Sequence, residues 1–80
     1  MHENIVQYVV IIEGDDATGY GAYIPDLPGC IAAAETREEV EELIREAIPF
    51  HLEGMAEAGD PVLPATSRAI TVDVHIPVAV

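Results

Sequence analysis

Carboxylates are the side chains with the clearest chemical potential in this sequence, because 15 of its 80 residues are Asp or Glu and only three are Lys or Arg. Carboxylates that converge from different elements can hold the paired metal ions of a nuclease. Here Asp15 and Asp16 fall in one predicted turn and Asp26 in another, while most glutamates fall on the solvent face of a predicted helix. We therefore predict that the chain is not an enzyme and does not hydrolyse RNA.

Other patterns for catalysis or metal binding do not stand out either. The sequence has no Gly-rich phosphate loop, no supported Ser-His-Asp order and no ligand spacing among Cys30 and the histidines His2, His51 and His75. We predict no catalytic residues, no metal and no cofactor. His51 projects onto the apolar helix face and is expected to be a core histidine, while Cys30 is expected to be a small buried hydrophobe.

The formal net charge of −12 constrains the possible partners. Such an excess repels phosphate backbones and anionic lipid, so we predict no direct nucleic-acid binding and no membrane association. A basic protein is a better partner, although charge that only keeps a small domain soluble remains the alternative. One cysteine, no basic leader and no apolar run of about 18 residues favour a cytoplasmic location.

A turn at residues 24–30 organises the chain. Pro25 and Pro28 lack the N–H that a central strand would need, and Gly29 can adopt a positive φ. A tight structural turn is expected here, with a binding loop as the alternative.

Strands are predicted on both sides of this turn and again at the end of the chain. Residues 5–13 are rich in Val and Ile and apolar on both strand faces, and residues 20–24 complete a hairpin. Residues 31–34 form a third, short strand. Residues 69–80 alternate between apolar and polar side chains, which predicts a fourth strand at the sheet edge.

One long helix is predicted between the third and fourth strands, from about residue 37 to 58. Thr36 and Glu39 form a capping box and Gly59 is a natural stop. Pro49 lies on the wet side and is expected to bend a single helix. The predicted core face consists of Val40, Leu43, Ile44, Ala47, Ile48 and Met55. Glu42 and Glu46 project to solvent, and Leu52 lies toward the edge of the apolar face, where it is expected to be exposed.

The predicted fold is therefore α+β, a single domain over residues 1–80 with one helix on one face of an antiparallel sheet, in the order β-β-β-α-β. One helix covers only one sheet face, whereas the first strand is apolar on both. We therefore expect a homo-oligomer, a dimer or higher, formed through the sheet faces or the last strand.

The hairpin, the Pro-Asp-Leu-Pro-Gly-Cys turn at residues 25–30 and the acidic helix capped by Thr36 together resemble the HicB-like antitoxin family over nearly the whole chain. The resemblance implies a partial RNase H-like fold. It also implies a role in binding and neutralising a small, basic, RNA-cleaving toxin of HicA type. Many family members carry a further C-terminal DNA-binding segment, whereas this sequence stops at Val80, so operator binding by this chain alone is not expected.

Charge and resemblance together predict a protein-binding surface. Its candidate residues are Asp26, Leu27, Pro28, Gly29, Glu42, Glu46 and Leu52. The alternative function is a stand-alone oligomeric module that binds a protein or ligand without a toxin partner. A metal-dependent nuclease is the least favoured interpretation.

Overall fold

The computed structural model describes residues 5–77, which contain three strands and one helix. Strand β1 spans Ile11–Asp15, β2 spans Gly19–Tyr23, β3 spans Ile31–Ala34 and helix α1 spans Arg37–Ala58. The strands form one antiparallel sheet in the order β1-β2-β3. The α+β class, with one long helix after a three-stranded antiparallel sheet, is confirmed.

The core lies between α1 and one face of this sheet. Ile12 pairs with Ala22 and Ala22 pairs with Ala32, so these side chains form one row on the face that α1 covers. Val40 and Ile44 of α1 are fully buried against it. Alanines in β2 and β3 leave room for this close approach.

Residues 24–30 form the tight structural turn that the sequence predicts, and this turn also contributes the rest of the core. The amide of Leu27 donates to the carbonyl of Ile24, and the amide of Cys30 donates to the carbonyl of Leu27. Gly29 has φ +89°. The side chains of Ile24, Leu27 and Cys30 are all buried.

Both ends of α1 are capped where the sequence predicts. The Thr36 hydroxyl accepts from the Glu39 amide at 3.2 Å and donates to the Glu39 carboxylate at 2.9 Å. At the other end Gly59 is left-handed and its N–H donates to Ala56, while the Asp60 amide donates to Met55. The helix is continuous through Pro49, which is exposed.

One position on the predicted core face of α1 is wrong. Leu43 is 43% exposed, because it lies at the flank of the helix, where it lines a groove between α1 and the start of β3. On the exposed side of α1, Arg37 and Glu41 form an ion pair at 3.6 Å.

The two predicted terminal strands also differ from the structure. Residues 5–10 form no strand, so β1 begins at Ile11 rather than residue 5. No strand forms within residues 61–77, so the predicted final strand is wrong for the described part, and residues 78–80 lie outside it. A strand needs a neighbour for its backbone hydrogen bonds, and neither segment has one within residues 5–77.

Candidate protein-binding surface

A groove of about 410 Å³ lies between α1 and the start of β3. We call it the helix–β3 surface. Its lining residues are Gly29, Cys30, Ile31, Leu43, Glu46, Ala47, Phe50 and His51. Three large apolar side chains are exposed there, namely Phe50 at 80%, Ile31 at 70% and Leu43 at 43%. Clustered exposure of this kind on a small domain is typical of interaction sites.

Helical periodicity places these apolar side chains beside acidic ones. Residues three, four and seven apart share a helix face, so Leu43, Glu46 and Phe50 form one stripe on α1. An adjoining hollow of about 290 Å³ is lined by Leu43 with Glu39, Glu42 and Glu46. The helix–β3 surface is therefore largely apolar, and an acidic rim of Glu39, Glu42 and Glu46 lies along its α1 side.

Part of the predicted binding set lies on this surface. Gly29 and Glu46 line the groove, and Glu42 lines the adjoining hollow. Pro28 is exposed in the neighbouring turn. Leu27, in contrast, is only 1% exposed and belongs to the core, so its side chain cannot contact a partner in this structure.

Asp26 has an internal role in the structure. Its carboxylate accepts the backbone amides of Thr66 and Ser67 at 3.0 and 2.9 Å, and it accepts both of their hydroxyls at 3.0 Å. These bonds, led by the Ser67 amide, hold the pKa of Asp26 below its ordinary value. Asp26 thus ties the segment after α1 to the turn before β3.

Leu52 lies on a different surface. It is half-buried rather than exposed, and it lines an apolar groove of about 600 Å³ beside the start of β1. We call this the edge groove, and its lining residues are Ile5, Val6, Tyr8, Ile48, Leu52 and Val62. The Tyr8 hydroxyl donates to the carbonyl of Leu63 at 2.6 Å and so fixes the segment after α1 along this groove.

Two functional features are not predicted from the sequence. Phe50 is absent from the predicted binding set, although it is seven residues after Leu43 and therefore on the same helix face. The Asp26 contacts are the second feature. The signal for them is the pair of hydroxyl residues Thr66 and Ser67 after a Pro-rich stretch, since such residues readily donate to a carboxylate.

The Cys30 thiol is buried in the core of the described part of the chain. Burial raises the pKa of the Cys30 thiol, which disfavours the reactive thiolate. Within residues 5–77, no three His, Cys, Asp or Glu side chains are grouped so as to hold a metal ion. Over the same range, no helix has the length and apolar character to cross a membrane.

Comparison with known proteins gives a family match over most of the chain. A family model described as "HicB_like antitoxin of bacterial toxin-antitoxin system" matches residues 8–75. A UPF0150 protein of Thermoplasma acidophilum is 31% identical over 67 residues, which are 84% of this chain and 97% of that protein. A UPF0150 protein of Archaeoglobus fulgidus is 35% identical over 48 residues, which are 60% of this chain and 70% of that protein.

A phage protein is also similar. An uncharacterized 14.9 kDa protein of Haemophilus phage HP1 is 45% identical over 49 residues, or 61% of this chain. The match spans only 36% of the phage protein's length.

Proposed function

Because this chain belongs to the HicB-like antitoxin family of bacterial toxin–antitoxin systems, we propose that it binds and neutralises a small, basic, RNA-cleaving toxin of HicA type through the helix–β3 surface. The family indicates an antitoxin role, a toxin partner and a non-enzymatic activity. Our proposal adds two points to this, namely the type of the toxin and the surface that binds it.

The observation that carries the proposal is the exposure of Phe50, at 80%, in a groove that also contains Glu46 and adjoins the hollow lined by Glu39 and Glu42. Binding energy at protein interfaces concentrates in a few apolar or aromatic anchors, while surrounding charges guide the approach. Phe50 supplies the anchor, with Leu43 beside it. Glu39, Glu42 and Glu46 supply a negative rim that complements a basic partner.

The acidic rim also suggests how binding would neutralise an RNA-cleaving partner. Such a toxin has to present basic side chains to the phosphates of its substrate. Carboxylates that occupy those basic side chains compete directly with RNA. Neutralisation then needs no chemistry from this chain, only a bound geometry in which the rim faces the toxin's RNA site.

The test is a search of the neighbouring reading frames for a short, basic product, followed by a binding titration with that purified protein and its RNA cleavage assay. Phe50→Ala should weaken binding about 30-fold, which corresponds to ~2 kcal/mol for an anchor residue. Inhibition of cleavage should weaken in parallel. Val62→Ala is the matched control, since Val62 is also exposed but lies at the edge groove. Equal affinity of Phe50→Ala and the parent chain would reject the helix–β3 surface as the binding site.

A further inference from the structure

Residues 68–77 form an extended arm after the segment held by Asp26, and we call it the C-terminal arm. Every one of its residues is exposed and none forms a strand with another part of the described chain. Four of them are large and apolar, namely Ile70, Val72, Val74 and Ile76, with exposures of 79%, 66%, 71% and 74%. Alternation puts these four on one side of an extended chain, so the arm carries an unsatisfied apolar stripe.

The dimensions of the molecule show that the arm projects away from the body. The longest axis is 56 Å and the other two are 26 and 23 Å. Ten extended residues span roughly 33 Å, which accounts for the difference. The radius of gyration is 16.1 Å, whereas a compact domain of this length has about 12 Å.

The direction of the arm is set at its root. Thr66 and Ser67 are fixed to Asp26 by four hydrogen bonds. Only Arg68 and Ala69 separate this attachment from the apolar stripe, and neither residue favours a tight reversal. The arm is therefore presented outward rather than folded back.

The same structure contains a second incomplete element that matches the arm. β1 is an edge strand, and residues 5–10 before it are Val- and Ile-rich yet unpaired. Beside them lies the edge groove, where Ile5 is 79% exposed, Val62 55% and Val6 49%. Within residues 5–77, this segment lacks a strand neighbour and a cover for its apolar groove.

We propose that the C-terminal arm of a second copy of this chain adds as a strand beside residues 5–10 and inserts its apolar stripe into the edge groove. Exchange of arms in both directions gives a two-fold dimer, in which each copy donates one strand and accepts one. The added strand supplies backbone hydrogen bonds to the exposed edge, and the alternate side chains fill the groove. This assembly forms the two terminal strands that the sequence predicts and that are missing from residues 5–77 of the single chain. It leaves the helix–β3 surface open.

Light scattering of the full chain at micromolar concentration should give twice the 8.6 kDa chain mass. Val72→Lys with Val74→Lys should convert the protein to a monomer, because both changes place charge on the apolar stripe. Thr71→Lys with His75→Lys adds the same two side chains on the opposite side of the arm and should leave the dimer intact. A parent chain of monomer mass, or a dimer that survives the stripe variant, would overturn the proposal.

Crosslinking shows whether the arm occupies the edge groove of a second copy or the edge groove of its own chain. A chain with Val6→Cys is mixed with a chain with Val72→Cys and treated with a short thiol crosslinker, while native Cys30 is buried and reacts slowly. A crosslinked pair is expected in the mixture. If one chain carrying both substitutions gives mainly a product within itself, the arm covers its own groove and exchange is wrong.

Salt dependence separates this proposal from the toxin interface. Two copies that each carry −12 repel one another, so raising the ionic strength should strengthen the dimer by screening. Raising the ionic strength should instead weaken the attraction between this chain and a basic toxin. If the chain forms the dimer but does not bind the toxin, the proposed function is wrong and arm exchange stands. If it binds the toxin but does not form the dimer, arm exchange is wrong and the proposed function stands.

Discussion

Ser67 donates twice to Asp26, through its amide to Oδ2 at 2.9 Å and through its hydroxyl to Oδ1 at 3.0 Å, across 41 positions of sequence. This contact joins the turn before β3 to the chain after α1. It thereby sets where the C-terminal arm leaves the body.

Replacing the Asp26 carboxylate should therefore release this segment without unfolding the sheet and helix. In Asp26→Ala, amide hydrogen exchange should accelerate at Thr66 and Ser67 and stay unchanged at Val40 and Ile44, which lie in the core. Exchange measured residue by residue by NMR checks this. Asp60→Ala is a control, since Asp60 is an exposed carboxylate after α1. Unchanged exchange at Thr66 and Ser67 in Asp26→Ala would contradict the role of the contact.

The same contact should respond to acid. Folding lowers the pKa of Asp26 below its ordinary value of 3.8. The contact is therefore fully stabilising above that value and is lost as the pH falls through the lower, folded-state pKa. Exchange at Ser67, corrected for its intrinsic pH dependence, should rise only in that acidic range. Asp26→Asn cannot ionise, so its Ser67 exchange should show no such step.

Two neighbouring aliphatic positions on α1 should differ strongly in their effect on stability. Ile44→Ala removes a fully buried side chain and should cost about 2–5 kcal/mol. Leu43→Ala should cost less than about 1 kcal/mol, because its side chain is 43% exposed. Urea unfolding followed by circular dichroism measures both values. Similar costs for the two variants would mean that Leu43 is covered in solution, for example by another chain.

Two glycines should respond oppositely to alanine. Gly14 has φ +123°, and a Cβ there would overlap the Gly19 carbonyl oxygen in the adjacent strand, so Gly14→Ala should disrupt the hairpin. Gly54 lies inside α1, where a Cβ would meet no atom within 4 Å outside its own turn of helix. Gly54→Ala should therefore stabilise the protein by about 0.5–1 kcal/mol. Thermal unfolding of both variants tests the contrast, and a destabilised Gly54→Ala would contradict it.

Charge reversal on α1 should lower the rate constant for association with the toxin by a larger factor than it raises the rate constant for dissociation. Glu42→Lys with Glu46→Lys removes part of the negative rim, so the association rate should fall by about tenfold or more at low salt. Glu13→Lys with Glu38→Lys changes the net charge equally but lies outside the helix–β3 surface, and it should slow association less. Stopped-flow kinetics over a salt series provides the measurement. Equal slowing by the two pairs would assign the effect to net charge rather than to the rim.

Local sequence signals predict the middle of this fold well. Thr36, Gly59 and the prolines of the turn act within a few residues of themselves, so the bounds of α1 and the position of β3 follow from them. The terminal strands fail because pairing is non-local. Residues 5–10 and 70–76 have strand patterns, yet a pattern does not specify which neighbour completes the backbone hydrogen bonds.

The binding surface is predicted less fully for a related reason. Helical periodicity distinguishes the buried side of α1 from the solvent side. Whether a residue between these two sides is buried depends on how far the sheet extends beneath it. Leu43 lies at the boundary between them and is exposed in the groove beside Ile31, and Phe50 is exposed in the same groove. Asp26 has the sequence context of an exposed turn carboxylate, because its partners are 40 residues away and lie in a segment without regular structure.

The burial of Cys30 beneath the helix–β3 surface makes this thiol a native reporter of motion. It is 3% exposed, yet it contributes to the lining of the groove. Alkylation therefore has to wait for transient opening of the site, and the raised pKa slows it further. The labelling rate measures how often the groove opens, and a ligand seated there should lower that rate. One labelling experiment on Cys30 therefore reports both how often the groove opens and whether a ligand occupies it, with no added probe.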